Sequence, residues 1–143
     1  MSAPAVAQDT ATAAAERKLS SGVYTARQAE RGEGVYKMSC QSCHAKTEYT
    51  GETFTVAWVS KTVFDVFDQI RSQMPEDNPG SLERQQYIDV VAYIFSLNAY
   101  PTGANELPGD DGGLKQIRID SPQGSTASST TRVFKHPRVS VRK

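Results

Sequence analysis

The five residues Cys40-Gln41-Ser42-Cys43-His44 contain both cysteines of the chain and one of its two histidines. No other stretch limits so narrowly what the chain can fold around. Two thiols three positions apart in one helical turn are spaced to add to the vinyl groups of a porphyrin, leaving the next side chain under the ring. The C-x-x-C-H pattern is therefore read as covalent attachment of one c-type haem through Cys40 and Cys43, with His44 as the proximal iron ligand. Three other readings are weaker. A redox-active C-x-x-C pair belongs beside a βαβ pattern, which the surrounding sequence lacks. A structural zinc site needs about four ligands, and His136 is the one remaining Cys or His. A disulfide across two intervening residues closes a loop too small to stabilise much.

At 143 residues the chain fits one domain with spare sequence at both ends. Its 16 basic and 16 acidic residues cancel, so no global field favours nucleic acid or an anionic membrane as partner. The apolar fraction of 38% is low for a globular domain, as expected for a small core completed by a buried cofactor. Residues 1–21 are rich in Ala, Ser and Thr and read as a flexible leader. Within them Ala5-Val6-Ala7 has the form of a signal-peptidase site, but no basic or apolar region precedes it. A remnant of an export signal and a plain flexible leader both fit. No stretch is long and apolar enough for a transmembrane helix.

Three helices are expected. Thr25 to Ser39 is amphipathic, with Thr25 and Gln28 at capping-box spacing and Ala29, Gly32, Val35 and Tyr36 on one face. A glycine on that face implies close approach of another helix. Residues Ala45 to Val59 read as loop or short strand wrapping one haem edge. There the indole N–H of Trp58 either reaches a haem propionate or bonds backbone while the ring anchors the core. Thr62 to Ser72 places Val63, Val66, Phe67 and Ile70 on one face and stops at Met74-Pro75, because proline disfavours a helical residue before it. A soft thioether presented from that loop suits the iron's sixth position, and Met1 and Met38 are poorly placed for it, so Met74 is the expected distal ligand. Ser81 is the expected N-cap of the third helix, from Leu82 to Asn98. Tyr87, Val91, Ile94 and Asn98 form one stripe of its buried face, and this helix is the natural partner of Gly32.

Taken in order, the Gly32–Tyr36 helix, the Cys40–His44 motif, Met74-Pro75 and the final helix with Ala92-Tyr93-Ile94 resemble a monohaem class I cytochrome c. The resemblance implies an all-α fold of three to four helices around one haem c, the first and last crossing beside it, with an irregular C-terminal extension. The stretch from Phe54 and Trp58 through Pro79-Gly80-Ser81-Leu82 to Asn98-Ala99-Tyr100-Pro101-Thr102-Gly103 is similar to periplasmic cytochromes that accompany quinoprotein (PQQ) alcohol or sugar dehydrogenases. That likeness covers roughly residues 22–120. With 29 residues between His44 and Met74, the chain reads as a short-loop form with one haem edge more exposed.

Residues 121–143 lie beyond the resemblance. A Ser/Thr/Gly-rich linker leads to Arg132, Lys135, Arg138, Arg142 and Lys143, read as a solvated tail or as a docking patch for an acidic partner. The expected function is single-electron transfer between redox partner proteins, from a periplasmic dehydrogenase to a terminal oxidase or another cytochrome, by an exported monomer that is not itself an enzyme. Two alternatives remain open: a gas-binding sensor in which Met74 is displaced, and an electron-transfer subunit held permanently to a dehydrogenase.

Overall fold

The computed structural model describes residues 16–122. Met1, Ala5-Val6-Ala7 and the basic stretch with His136 lie outside the described residues. The described part is helical, with five α-helices and one two-stranded sheet.

Helix α1 spans Ala26–Ser39 and starts where Thr25 accepts the Gln28 N–H at 3.1 Å. Gln28 does not return the cap. Its side chain is fully buried and accepts the Leu107 N–H at 2.9 Å, so it ties α1 to a distant loop instead. Helix α4 spans Arg84–Leu97 and is buried on every side from Tyr87 to Phe95, as a helix through the middle of a core must be. Its closest approach to α1 is at Gly32, where a Cβ would stand 1.8 Å from the Asp89 carbonyl oxygen. The expected glycine contact therefore forms, with α4 as partner.

The third helix begins later than Ser81 suggests. The Gln86 side chain accepts the Glu83 N–H at 2.9 Å and sets the start there. The Leu82 N–H is drawn away to the Tyr87 hydroxyl at 3.3 Å. At the other end Asn98 donates to the carbonyls of Ile94 and Tyr49 at 2.9 and 2.8 Å and accepts the Gly51 N–H at 3.1 Å.

The expected loop or strand at residues 45–59 is corrected. A short 3-10 turn, Lys46–Tyr49, leads into helix α2, Gly51–Trp58. Thr55, Val56 and the aromatic residues favour extended structure locally, but burial of Phe54 against Phe95 and Tyr100 decides the outcome. Helix α3, Val63–Gln73, follows the sequence expectation, with Thr62 and Asp65 exchanging caps at 3.3 and 2.7 Å. It ends at Met74, which is extended at φ −125° and ψ 152°.

Helix α5, Asp111–Lys115, and strand β2, Ile117–Arg118, follow, and Leu114, Ile117 and Ile119 are all buried. β2 pairs in parallel with β1, Arg17–Lys18. Leu19 is fully buried beside it, so the packed part begins upstream of the boundary expected at residue 22.

Arg31 joins α1 to both neighbours. Its guanidinium grips Asp89 through two bonds, 2.9 and 3.0 Å, and Glu106 through two more, 2.8 and 2.9 Å. Asp89 is only 4% exposed and also accepts from Gln85 at 2.8 Å.

Gly32→Ala is expected to lose at least ~2 kcal/mol of stability, because its methyl meets helix backbone that cannot yield. Gly34→Ala, with open space around it, is expected to gain up to ~1 kcal/mol. Denaturant midpoints of the two variants check the contrast. Acid should weaken the loop contact too. The hydrogen bond from Arg31 holds the Glu106 carboxyl below its ordinary 4.5. The folded state thus binds fewer protons, and this stability is present above the unfolded value and is lost as pH falls through the folded one. Glu106→Gln should flatten that acid limb of a pH series of unfolding midpoints.

Candidate functional site

Helix α1 delivers the motif. As it ends, the N–H groups of Cys40 and Gln41 both bond the Tyr36 carbonyl at 2.9 Å, and those of Cys43 and His44 bond the Cys40 carbonyl at 3.1 and 3.0 Å. Residues 40–44 are therefore one tight turn, which puts both sulfurs and the imidazole at one mouth. The Tyr36 hydroxyl donates to the His44 carbonyl at 2.6 Å and fixes the end of the turn.

That turn forms one wall of a cavity of about 970 Å³. Cys40, Cys43 and His44 line it together with Met74 and Pro75, and Tyr87, Val90 and Ile94 of α4 contribute apolar surface. The volume lies at the upper end of the range for small-molecule and cofactor sites. Four of the five residues expected at the site thus face one space. Trp58 is the exception. It is half-buried against the core with the Lys61 ammonium 4.9 Å from its ring centre, and it is not among the cavity-lining residues.

The Met74 backbone is held at both its carbonyl and its N–H. The Tyr87 hydroxyl donates to the Met74 carbonyl at 2.8 Å, and the Met74 N–H bonds Ile70 at 2.8 Å. Sequence reading placed Tyr36 and Tyr87 only on buried faces, because nothing in helical spacing tells which carbonyl a hydroxyl will reach. It also passed over Glu48, whose carboxylate meets His44 Nδ1 at 3.0 Å and the Ala45 N–H at 2.9 Å. Their i, i+4 spacing was the available signal. These two contacts, His44 first, lower the Glu48 pKa.

The chemistry of the donor set fits haem c. Burial raises the Cys40 thiol pKa, the reverse of the activated thiolate of a redox pair. Both cysteines are free, and among the described residues no group of three His, Cys, Asp or Glu side chains is placed to hold a metal ion. A soft sulfur, an imidazole and two thiols lining one cavity match a haem that is covalently attached through the thiols. Among the described residues no helix is long and apolar enough to cross a membrane.

Tyr87→Phe removes one bond to the Met74 carbonyl and one from Leu82. It should lower stability by about 1–2 kcal/mol, read as a drop in the unfolding midpoint with an unchanged denaturant slope.

One comparison with known proteins gives a match. Residues 27–94 match the family model described as cytochrome C oxidase, cbb3-type, subunit III, a span from the first turn of α1 to near the end of α4. No curated protein and no solved structure matches the chain significantly. With its helical fold, its C-x-x-C-H turn and that match, the chain carries a c-type cytochrome domain of the class I fold, with covalent haem c as its cofactor and redox proteins as its partners.

Proposed function

We propose that the protein is a single-electron carrier in which His44 and Met74 are the two axial ligands and Cys40 and Cys43 are the covalent anchors. The observation that supports this most is the convergence of all four side chains on one cavity. When bound, the haem supplies the ferrous/ferric couple. With both axial positions taken by side chains, no coordination site remains for a substrate, which suits outer-sphere transfer rather than catalysis.

The chain's own contribution is to keep those ligands still. Tyr36 and Tyr87 pin the backbone of His44 and Met74 through their carbonyls, so neither ligand needs to move when the charge of the iron changes. Val90, Ile94 and Ile70 keep water from that side of the cavity. A thioether opposite a histidine raises the reduction potential. In this reading Trp58 serves as a core anchor, which its half-buried place against the core supports.

The electron source in this reading is a periplasmic quinoprotein dehydrogenase, and the acceptor is a terminal oxidase or another cytochrome, with the protein exported as a monomer. The dehydrogenase rests on the sequence resemblance alone. A second reading, a subunit fixed to a larger redox enzyme, gains from the description of the matching family, which names an oxidase subunit. Co-purification with a larger enzyme in constant ratio separates that from a free carrier.

The ligands are tested by spectra of the oxidised and reduced holoprotein beside Met74→Ala. The wild type should show the weak long-wavelength band of a ferric iron–sulfur bond and should not take up carbon monoxide. The variant should lose the band, bind carbon monoxide and have a lower potential. Carbon monoxide binding by the reduced wild type itself would put the gas-sensing alternative first.

A further inference from the structure

Glu48 has no role in the reading above, yet among the described residues it is the one side chain that hydrogen-bonds the His44 ring. It stands four residues after His44 in the 3-10 turn Lys46–Tyr49, and both of its oxygens are engaged. Oε1 accepts the Ala45 N–H at 2.9 Å. That bond to backbone orients the carboxylate, so that Oε2 meets His44 Nδ1 at 3.0 Å although the side chain is half exposed. The Tyr49 ring, 5.6 Å from the imidazole between centres, closes on the same histidine. A carboxylate only accepts, so Nδ1 must carry the proton and donate. The lone pair is then on Nε2, for which no other hydrogen-bond partner is present among the described residues.

We propose that Glu48 is a positioning residue that fixes the tautomer and ring angle of His44 and lowers the reduction potential of the iron. The inference rests on His44 being the proximal ligand. A carboxylate on Nδ1–H makes the imidazole a stronger donor through Nε2, and its negative charge favours the more positive, oxidised state. Glu48 thus opposes the thioether of Met74, and the potential is set by the balance of the two. A backbone carbonyl at the same place would orient the ring without the full charge.

The test compares holoprotein carrying Glu48→Gln, Glu48→Ala and, as a charge control, Glu52→Gln. Glu52 is exposed in the first turn of α2 and forms no bond to His44. Two quantities are read: the midpoint potential, and the rate at which the His44 Nδ1–H exchanges with solvent in the ferrous protein. Glu48→Ala should raise electron affinity about tenfold, ~59 mV for one electron, and speed the exchange. Glu48→Gln keeps an acceptor but no charge, so its shift should lie between wild type and Glu48→Ala. Glu52→Gln should stay near wild type in both readouts. Potentials of the Glu48 variants that move no further than that of Glu52→Gln overturn the proposal and leave the electron-carrier reading intact. A raised potential with unchanged exchange also overturns it, since the effect is then one of field and not of the hydrogen bond. If His44→Ala retains its proximal nitrogen ligand, the ligation reading fails and takes this inference with it.

Discussion

The approach of α1 to α4 at Gly32 sets the distance on which the site depends. Because no side chain intervenes, the α1 backbone rests on the Asp89 carbonyl, and Arg31, one residue earlier, locks the pair by gripping the Asp89 carboxylate. From that point α1 runs on for two turns and releases the chain into the Cys40–His44 turn. Along α4, the residue two positions before Asp89 is Tyr87, whose hydroxyl holds Met74. One helix pair thus fixes both walls of the cavity, and a shift of either helix would move His44 relative to Met74.

The two expected ligands are held by hydrogen bonds to their backbone carbonyls, and His44 also through Nδ1 of its ring, so that among the described residues Nε2 and the thioether sulfur are left unengaged. The arrangement leaves the imidazole and the thioether free to bond metal while the segments that bear them stay put. It also explains why α4 is buried all round: it separates the cavity from the Phe54, Phe95 and Tyr100 cluster and must serve both. The cavity is not closed off everywhere. Met38, 76% exposed, stands at its edge on the cysteine side, and Glu76 and Asp77 line it beside Met74. An open side of this kind suits a small-area contact with another protein.

Much of this was legible in the sequence because it follows from local rules. The cap at Thr25, the halt of α3 before Pro75 and the burial of Val63, Val66 and Phe67 each depend on a few neighbouring residues. Gly32 was legible as well, since an otherwise costly glycine on an apolar face implies a close neighbour. Helix α2 was not, because its β-branched residues point the other way and the deciding contacts come from Phe95 and Tyr100, some forty residues on. The start of α4 was missed for a related reason: two side chains, Gln86 and Tyr87, compete for N–H groups that a capping rule assigns to Ser81. The motif singled out Cys40, Cys43 and His44 and the proline singled out Met74, and all four line the cavity. Partners defined by shape, such as the Tyr36 and Tyr87 carbonyl contacts, have no signature in residue order.

The region after α4 is part of the same packed unit even though it lies beyond residues 27–94. Leu107 is fastened to Gln28 and Glu106 to Arg31, both on α1. Tyr24 donates to the Tyr100 carbonyl at 2.6 Å, while Gly22 and Gly103 approach so closely that a Cβ on Gly103 would lie 1.9 Å from the Gly22 carbonyl oxygen. Farther on, Tyr100 donates to the Asp120 carbonyl, Ser20 bonds the Asp120 side chain, and β1 pairs with β2. These contacts converge on α1 and the segment leading into it, opposite the end that carries Cys40. A helix loaded at one end by a cofactor turn needs its other end anchored if the turn is to keep its aim. The later segments provide that anchor, so the rigidity that electron transfer demands at His44 is supplied partly by residues that never touch the cavity.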